Sequence, residues 1–211
     1  MKKIVWWLIT FLTPVVLTLT AVRLLMTPLF LQIEYNTPAF PPDPYGFTKE
    51  ERLYWSNIAL DYLLNDAGIE FLAELRFEDG SPVYNQRELR HMVDVKNVVQ
   101  ATLWVWYGLL VFFVGVALLA WKSGHWSEFH FALQRGGLWT LLLLGGIILF
   151  VLLGFGIFFV AFHNVFFEPG TWTFLWSDTL IRLFPERFWR DTFLFVGGIA
   201  LLGGYLLWKV K

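Results

Sequence analysis

The sequence predicts an all-α membrane protein, a four-transmembrane-helix bundle with a small extracytoplasmic α+β unit, a helix plus a short β-hairpin, between helices 1 and 2. Three observations carry that expectation. The chain is 57% hydrophobic and 19% aromatic with only 16% charged residues, more apolar surface than a domain of 211 residues hides in an interior. Four stretches free of acidic and basic side chains approach or exceed the roughly 20 residues that cross a hydrocarbon core about 30 Å thick. The segment between the first two stretches is polar, and it carries helix-start and turn signals.

The spans fall at residues 4–22, 98–121, 138–162 and 192–208. The first, preceded by Lys2 and Lys3, reads as a retained anchor. Its apolar run exceeds the 7–15 residues usual for a signal-peptide core, and no A-x-A-like cleavage site follows. In the last two spans Gly145 and Gly146, Gly154 and Gly156, Gly197 and Gly198, and Gly203 and Gly204 favour close helix approach, because small residues drive packing where lipid removes the hydrophobic incentive.

Residues 23–97 form the extracytoplasmic region. Its entry, Thr37 to Pro44, holds four prolines and resists helix, since proline lacks a donor and constrains its predecessor. Thr48 with Glu51 is a capping box, and Leu53, Tyr54, Ile58, Tyr62 and Leu63 recur at helical spacing until Asn65 and Gly68. Phe71 to Phe77 and Pro82 to Tyr84 flank Asp79-Gly80, which reads as a hairpin. Asn85 and Glu88 form a second capping box, whose helix runs into the second span without a breaker. Residues 163–191 make an outer interfacial loop, rich in rings suited to headgroup depth.

A formal net charge of −1 excludes the basic surplus that nucleic acid needs, and zero cysteines exclude disulfides, thiolate nucleophiles and thiolate metal sites. With the N-terminus inside, the inner segments hold Lys2, Lys3, Lys122, Arg135, Lys209 and Lys211 against Glu128 alone. Both termini are therefore expected on the cytoplasmic side of a multi-pass plasma-membrane protein. That topology puts His91 and His163 at the outer face and His125 and His130 in the inner loop. Two imidazoles at one interface divide donor and acceptor roles. Asp94 and Glu88, each three residues from His91, lie one helical turn away and are candidates to orient its ring; simple snorkelling at headgroup level is the alternative. Asp178 and Arg182 are spaced to pair on a helix, with Arg182 a candidate for binding a lipid phosphate or a peptide carbonyl. No G-x-S-x-G, H-E-x-x-H, Walker A or dinucleotide fingerprint is present, so no cofactor is expected.

Four segments, Tyr45-Gly-Phe-Thr-Lys-Glu-Glu-Arg-Leu53, Leu89-Arg-His-Met-Val-Asp-Val-Lys96, His163-Asn-Val-Phe-Phe167 and Leu180-Ile-Arg-Leu-Phe-Pro185, together resemble the lipoprotein intramolecular transacylase (Lit) family of bacterial membrane proteins. The likeness covers most of the chain and includes the four-span layout. It implies transfer of the sn-2 acyl chain of a diacylglyceryl-lipoprotein to the α-amino group of its N-terminal cysteine, giving the lyso-form. It also implies that His91 and His163 are catalytic; acid–base chemistry then gives His91, positioned by Asp94, as base and His163 at the tetrahedral intermediate, or the reverse. Tyr45, Arg52, Asn164, Asp178 and Arg182 are the candidate substrate-binding residues. The expected partners are the lipoprotein and membrane lipid; the sequence leaves the oligomeric state open and is compatible with a monomer. A non-enzymatic scaffold or assembly factor, and a metal-binding protein using His91, His163 and Asp94, are the alternative readings.

Overall fold

The computed structural model describes residues 3–209. Met1, Lys2, Val210 and Lys211 lie outside it, and with them two of the cations, Lys2 and Lys211, that define the charge asymmetry. The described residues form α1 (Lys3–Leu25), α2 (Pro28–Tyr35), α3 (Lys49–Leu64), α4 (Glu70–Ala73), α5 (Gln86–Lys122), α6 (Trp126–Phe166), α7 (Thr179–Leu183) and α8 (Glu186–Lys209). Four of these, α1, α5, α6 and α8, are long and apolar enough to cross a membrane, and the chain is a multi-pass membrane protein. At about 1.5 Å per residue α5 and α6 are roughly 55 and 60 Å long, nearly twice the hydrocarbon thickness. Residues 86–97 of α5 therefore precede its apolar run.

The α+β expectation is corrected: the fold is all-α. Among the described residues the one β interaction is an isolated antiparallel bridge, Arg76 to Pro82. The turn stands where the sequence places it, with Gly80 at φ +81° and Asp79 Oδ1 accepting from the Ser81 N–H and hydroxyl. No ladder grows from it. Residue 82 is proline and has no N–H to donate. On the other side Glu70–Ala73 closes into the short helix α4, which takes up the first three residues, Phe71 to Ala73, of the expected first strand.

Two compact units organise these helices. One draws on the chain up to Leu25, Thr102–Gly154 and the chain from Phe193. Here α1, α6 and α8 meet at small residues. A Cβ on Gly137 would stand 2.5 Å from the Gly204 carbonyl oxygen, and one on Gly203 would stand 2.9 Å from Leu17. The expected glycines thus serve selectively, since Gly145, Gly146, Gly156 and Gly198 face open space. Between α1 and α6 the Thr10 hydroxyl donates to the Ala132 carbonyl at 3.1 Å, and Trp106 Nε1 of α5 donates to Thr20 of α1 at 3.0 Å. Ile9, Val116, Ala120, Phe129 and Ala132 form an apolar cluster in this unit.

The other unit comprises Met26–Ala101 and Phe155–Thr192. Its apolar centre is Ala59, Tyr62, Leu72, Val83, Tyr84, Leu89, Met92, Leu180 and Leu183. Both capping boxes form. The Thr48 hydroxyl accepts from the Glu51 N–H at 3.1 Å while Glu51 accepts from the Thr48 N–H at 2.7 Å. Asn85 Oδ1 accepts from Glu88 N at 3.1 Å and Glu88 accepts from Asn85 N at 2.8 Å, opening α5. Helix α6 is interrupted at Gly154, whose φ −152°, ψ 51° are not helical. Phe155–Phe166 beyond it carries His163 into this unit.

Candidate active site

His91 sits in the second turn of α5 and His163 one turn before the end of α6. Their rings lie nearly parallel, 21° apart with centroids 6.4 Å apart. An aromatic enclosure surrounds the pair. Phe167 and Phe174 lie 5.0 and 5.3 Å from His91, and Phe159, Trp172 and Phe167 lie 4.0, 4.7 and 5.6 Å from His163. Apart from the two imidazoles, these neighbours supply ring faces and edges and one indole N–H. Apolar ring surface around the pair strengthens local electrostatic interactions.

The two histidines are held differently. His163 Nδ1 lies 2.8 Å from the Phe159 carbonyl oxygen, one turn back on the same helix. A carbonyl only accepts, so Nδ1 carries the proton and Nε2 presents a lone pair. His91 is 8% exposed, and its Nδ1 is buried without a hydrogen-bond partner among the described residues. Burial, with the positive charge of a protonated His163 as a second cause, pushes the His91 imidazole down to about 4, so it is neutral at physiological pH. Trp172 Nε1 is a third polar atom in this enclosure, buried and likewise unpartnered.

Among the described residues neither acid near His91 is hydrogen-bonded to its Nδ1. Glu88 is buried, and its carboxylate accepts from Asn85 N and, at 2.7 Å, from Leu180 N at the start of α7. Asp94 is exposed. Asp178 pairs with Arg87 at 2.8 Å rather than with Arg182, and the Arg87 guanidinium lies over Phe174, one of the rings against His91. Arg182 instead pairs with Asp43 at 2.9 Å over the Phe47 ring, 3.5 Å from its centroid, and donates to the Tyr45 carbonyl. Arg52, 4% exposed, donates to the Pro41 carbonyl and lies against the rings of Tyr35 and Phe40, 4.9 Å from each centroid. Tyr45 and Asn164 are exposed. Among the described residues no hydrogen bond, ion pair or ring contact joins Tyr45, Arg52, Asn164 or Arg182 to either histidine. No group of three or more His, Cys, Asp and Glu among the described residues is placed to hold a metal.

Trp172 belongs to the aromatic loop evident in the sequence, yet nothing there separates it from its neighbours. Its distinguishing property, an indole N–H with no acceptor, is a tertiary fact. A second feature without a signal in the sequence is Glu34 on α2, fully buried with neither carboxyl oxygen hydrogen-bonded to a partner among the described residues. Burial, then repulsion from Asp191, raises it from 4.5 to about 7, with Arg187 partly offsetting both.

The sequence model of the family described as lipoprotein intramolecular transacylase Lit matches residues 4–189. An uncharacterized protein of Aquifex aeolicus (strain VF5) is 33% identical over 209 residues, 98% of this chain and 93% of the relative. Among solved structures, the in meso structure of Lit from Bacillus cereus is similar with a TM-score of 0.77 at 21% identity, covering 99% of this chain and 94% of that one. A variant of the same protein with a histidine replaced by arginine gives a TM-score of 0.75 at 20% identity, covering 98% of this chain and 88% of that one.

Proposed function

Because the chain belongs to the lipoprotein intramolecular transacylase (Lit) family, we propose that the stacked pair His91 and His163 carries out its reaction, movement of an ester-linked acyl chain to an amine of the same molecule. The protein is a membrane transferase that processes lipoproteins. Its substrate, on this reading, is a lipoprotein whose N-terminal cysteine bears a thioether-linked diacylglyceryl group. The α-ammonium releases one proton to the surroundings, the amine attacks the sn-2 ester carbonyl, a C–N bond forms, and the C–O bond to glycerol breaks as that oxygen takes up a second proton, given up by the same nitrogen. Neither water nor a cofactor enters the balance.

The single observation that carries the assignment of roles is the bond between His163 Nδ1 and the Phe159 carbonyl. It fixes the tautomer with Nε2 as acceptor, so His163 is assigned as the base that takes the proton the nitrogen gives up as it attacks and passes it to the glycerol oxygen. His91, neutral and without an orienting acceptor, faces the reacting carbonyl through Nε2 as a donor. The buried indole N–H of Trp172, beside His163, is assigned as a further donor to the oxyanion. Asp178 acts at one remove, by holding Arg87 against Phe174. Since nucleophile and ester belong to one molecule, the aromatic enclosure mainly folds them together, an effect worth on the order of 7–11 kcal/mol in the best cases.

The excess of basic residues in the inner segments supports cytoplasmic termini and a site at the extracytoplasmic face. The test is conversion of a synthetic diacylglyceryl lipopeptide by the purified protein, with the acyl chain located by tandem mass spectrometry. His163→Gln and His91→Gln are each expected to end N-acyl product formation. Wild-type conversion by His163→Gln would refute the base assignment, and free fatty acid as the product would refute the transfer.

A further inference from the structure

The unit without the paired histidines contains a cavity of about 390 Å³ between α1 and α6, whose lining includes Lys3 and Trp7 from the first helix and Ser127, Glu128, Phe131 and Arg135 from the second. Its chemistry is uneven. Two cations, Lys3 and Arg135, face one acid, Glu128, which already accepts from the Ser127 hydroxyl at 2.9 Å. Arg135 lies seven residues, about two turns, further along α6, too far for Glu128 to neutralise it directly.

Arg135 is half-buried and forms no ion pair among the described residues. Its guanidinium is held by ring faces, 3.9 Å from the Trp7 centroid and 5.8 Å from that of Phe131. Aromatic faces attract the cation and fix the plane of the fork, yet they accept none of its N–H bonds. The residue stands about 13 Å along α6 from its start, at the edge of an apolar span, where an uncompensated positive charge is costly. The cavity therefore offers a rigid, bidentate donor, a flexible ammonium and a ring wall, with the N-terminal ends of two spanning helices beside it. An anion with paired oxygens satisfies the donors, and an apolar tail attached to it suits the exposed rings of Trp7 and Phe131 that line the cavity.

We propose that this cavity binds the phosphodiester headgroup of an anionic phosphoglyceride, with Arg135 gripping two phosphate oxygens and Lys3 a third. The occupant is a resident membrane lipid, and the site is independent of the acyl-transfer reaction. The volume fits a glycerophosphate headgroup.

The experiment uses the full-length protein in nanodiscs and in detergent. Native mass spectrometry counts lipids retained as dioleoylphosphatidylglycerol or dioleoylphosphatidylcholine is titrated, with inorganic phosphate as a third arm. One tightly retained phosphatidylglycerol is expected, held in preference to phosphatidylcholine and unaffected by millimolar phosphate. Arg135→Gln and Lys3→Gln should each weaken retention by roughly fivefold, and the pair by about 25-fold, since a cation at a membrane surface contributes about 1 kcal/mol towards an anionic lipid. Arg135→Lys, which keeps the charge and the fold but not the fork, should lose the preference only in part. Equal retention by wild type and Arg135→Gln overturns the proposal, as does equal binding of both lipids. Displacement by inorganic phosphate overturns the lipid as occupant.

Discussion

Replacing Glu34 by Gln tests the electrostatics of the unit that carries the histidines. The carboxyl has no exposed surface, and its pKa is raised from 4.5 to about 7, chiefly by burial and then by Asp191. An unfolded chain ionises this group near 4.5, while the folded protein keeps the proton until about 7. Between those values the folded state binds more protons, so stability falls as pH rises through that window and levels off above it. The interval corresponds to about 3 kcal/mol at most, at 1.36 kcal/mol for each pH unit. Glutamine carries no charge, so Glu34→Gln loses this slope. Relative to wild type the variant should gain up to about 3 kcal/mol between pH 4.5 and pH 8, whatever constant offset its amide introduces. The assay is thermal unfolding in detergent at half-unit steps over that range, read as the difference between the two proteins. Asp191→Asn should move the wild-type slope to lower pH, because it removes the repulsion. Parallel pH profiles for wild type and Glu34→Gln would refute the reasoning.

Three further outcomes follow from the geometry. Trp172→Phe, and more sharply the benzothienyl isostere of Trp172, keeps the ring beside His163 but removes the N–H; kcat should fall on the order of 10²–10³-fold with KM little changed. An unchanged kcat would remove Trp172 from the reaction. The His91 ring should remain neutral on titration to pH 5.5 when followed by NMR of carbon-13-labelled histidine, since it is pushed down to about 4; a midpoint near 6.5 would contradict the burial seen here. Gly204→Ala sets a methyl group 2.9 Å from Thr140 and 3.0 Å from the Gly137 carbonyl, and should destabilise the protein by about 1–3 kcal/mol in a detergent unfolding assay, whereas Gly198→Ala, facing open space, should be near neutral.

The parts of this fold legible in the sequence are those fixed by local or solvent constraints. Lipid demands long apolar runs, so the four spanning helices are evident, and both capping boxes form because each involves side chains three residues apart. The Asp79-Gly80 turn is legible for the same reason, but a turn does not make a sheet. Whether strands extend from it depended on Pro82 and on the helical preference of Glu70–Ala73. Pairings across the chain were beyond reach. Spacing offered Asp178 to Arg182, four residues away, yet tertiary packing gives it Arg87 and gives Arg182 the buried Asp43. In the candidate site the sequence singles out both imidazoles, while the atoms that distinguish them are a backbone carbonyl and an unpartnered indole nitrogen. Neither leaves a pattern in the order of residues. Glu34 was missed for a related reason, since one acid in a short helix resembles any surface carboxylate until its burial is known.

The Glu88 carboxylate serves two distant pieces of backbone at once, the N–H of Asn85 and that of Leu180, and the Thr179 hydroxyl next to the latter donates to the Val83 carbonyl. One side chain thus rivets the aromatic loop to the helix that bears His91. Chimeras that exchange this loop between relatives will therefore carry their register with them only if the acid and the two amides that donate to it travel together.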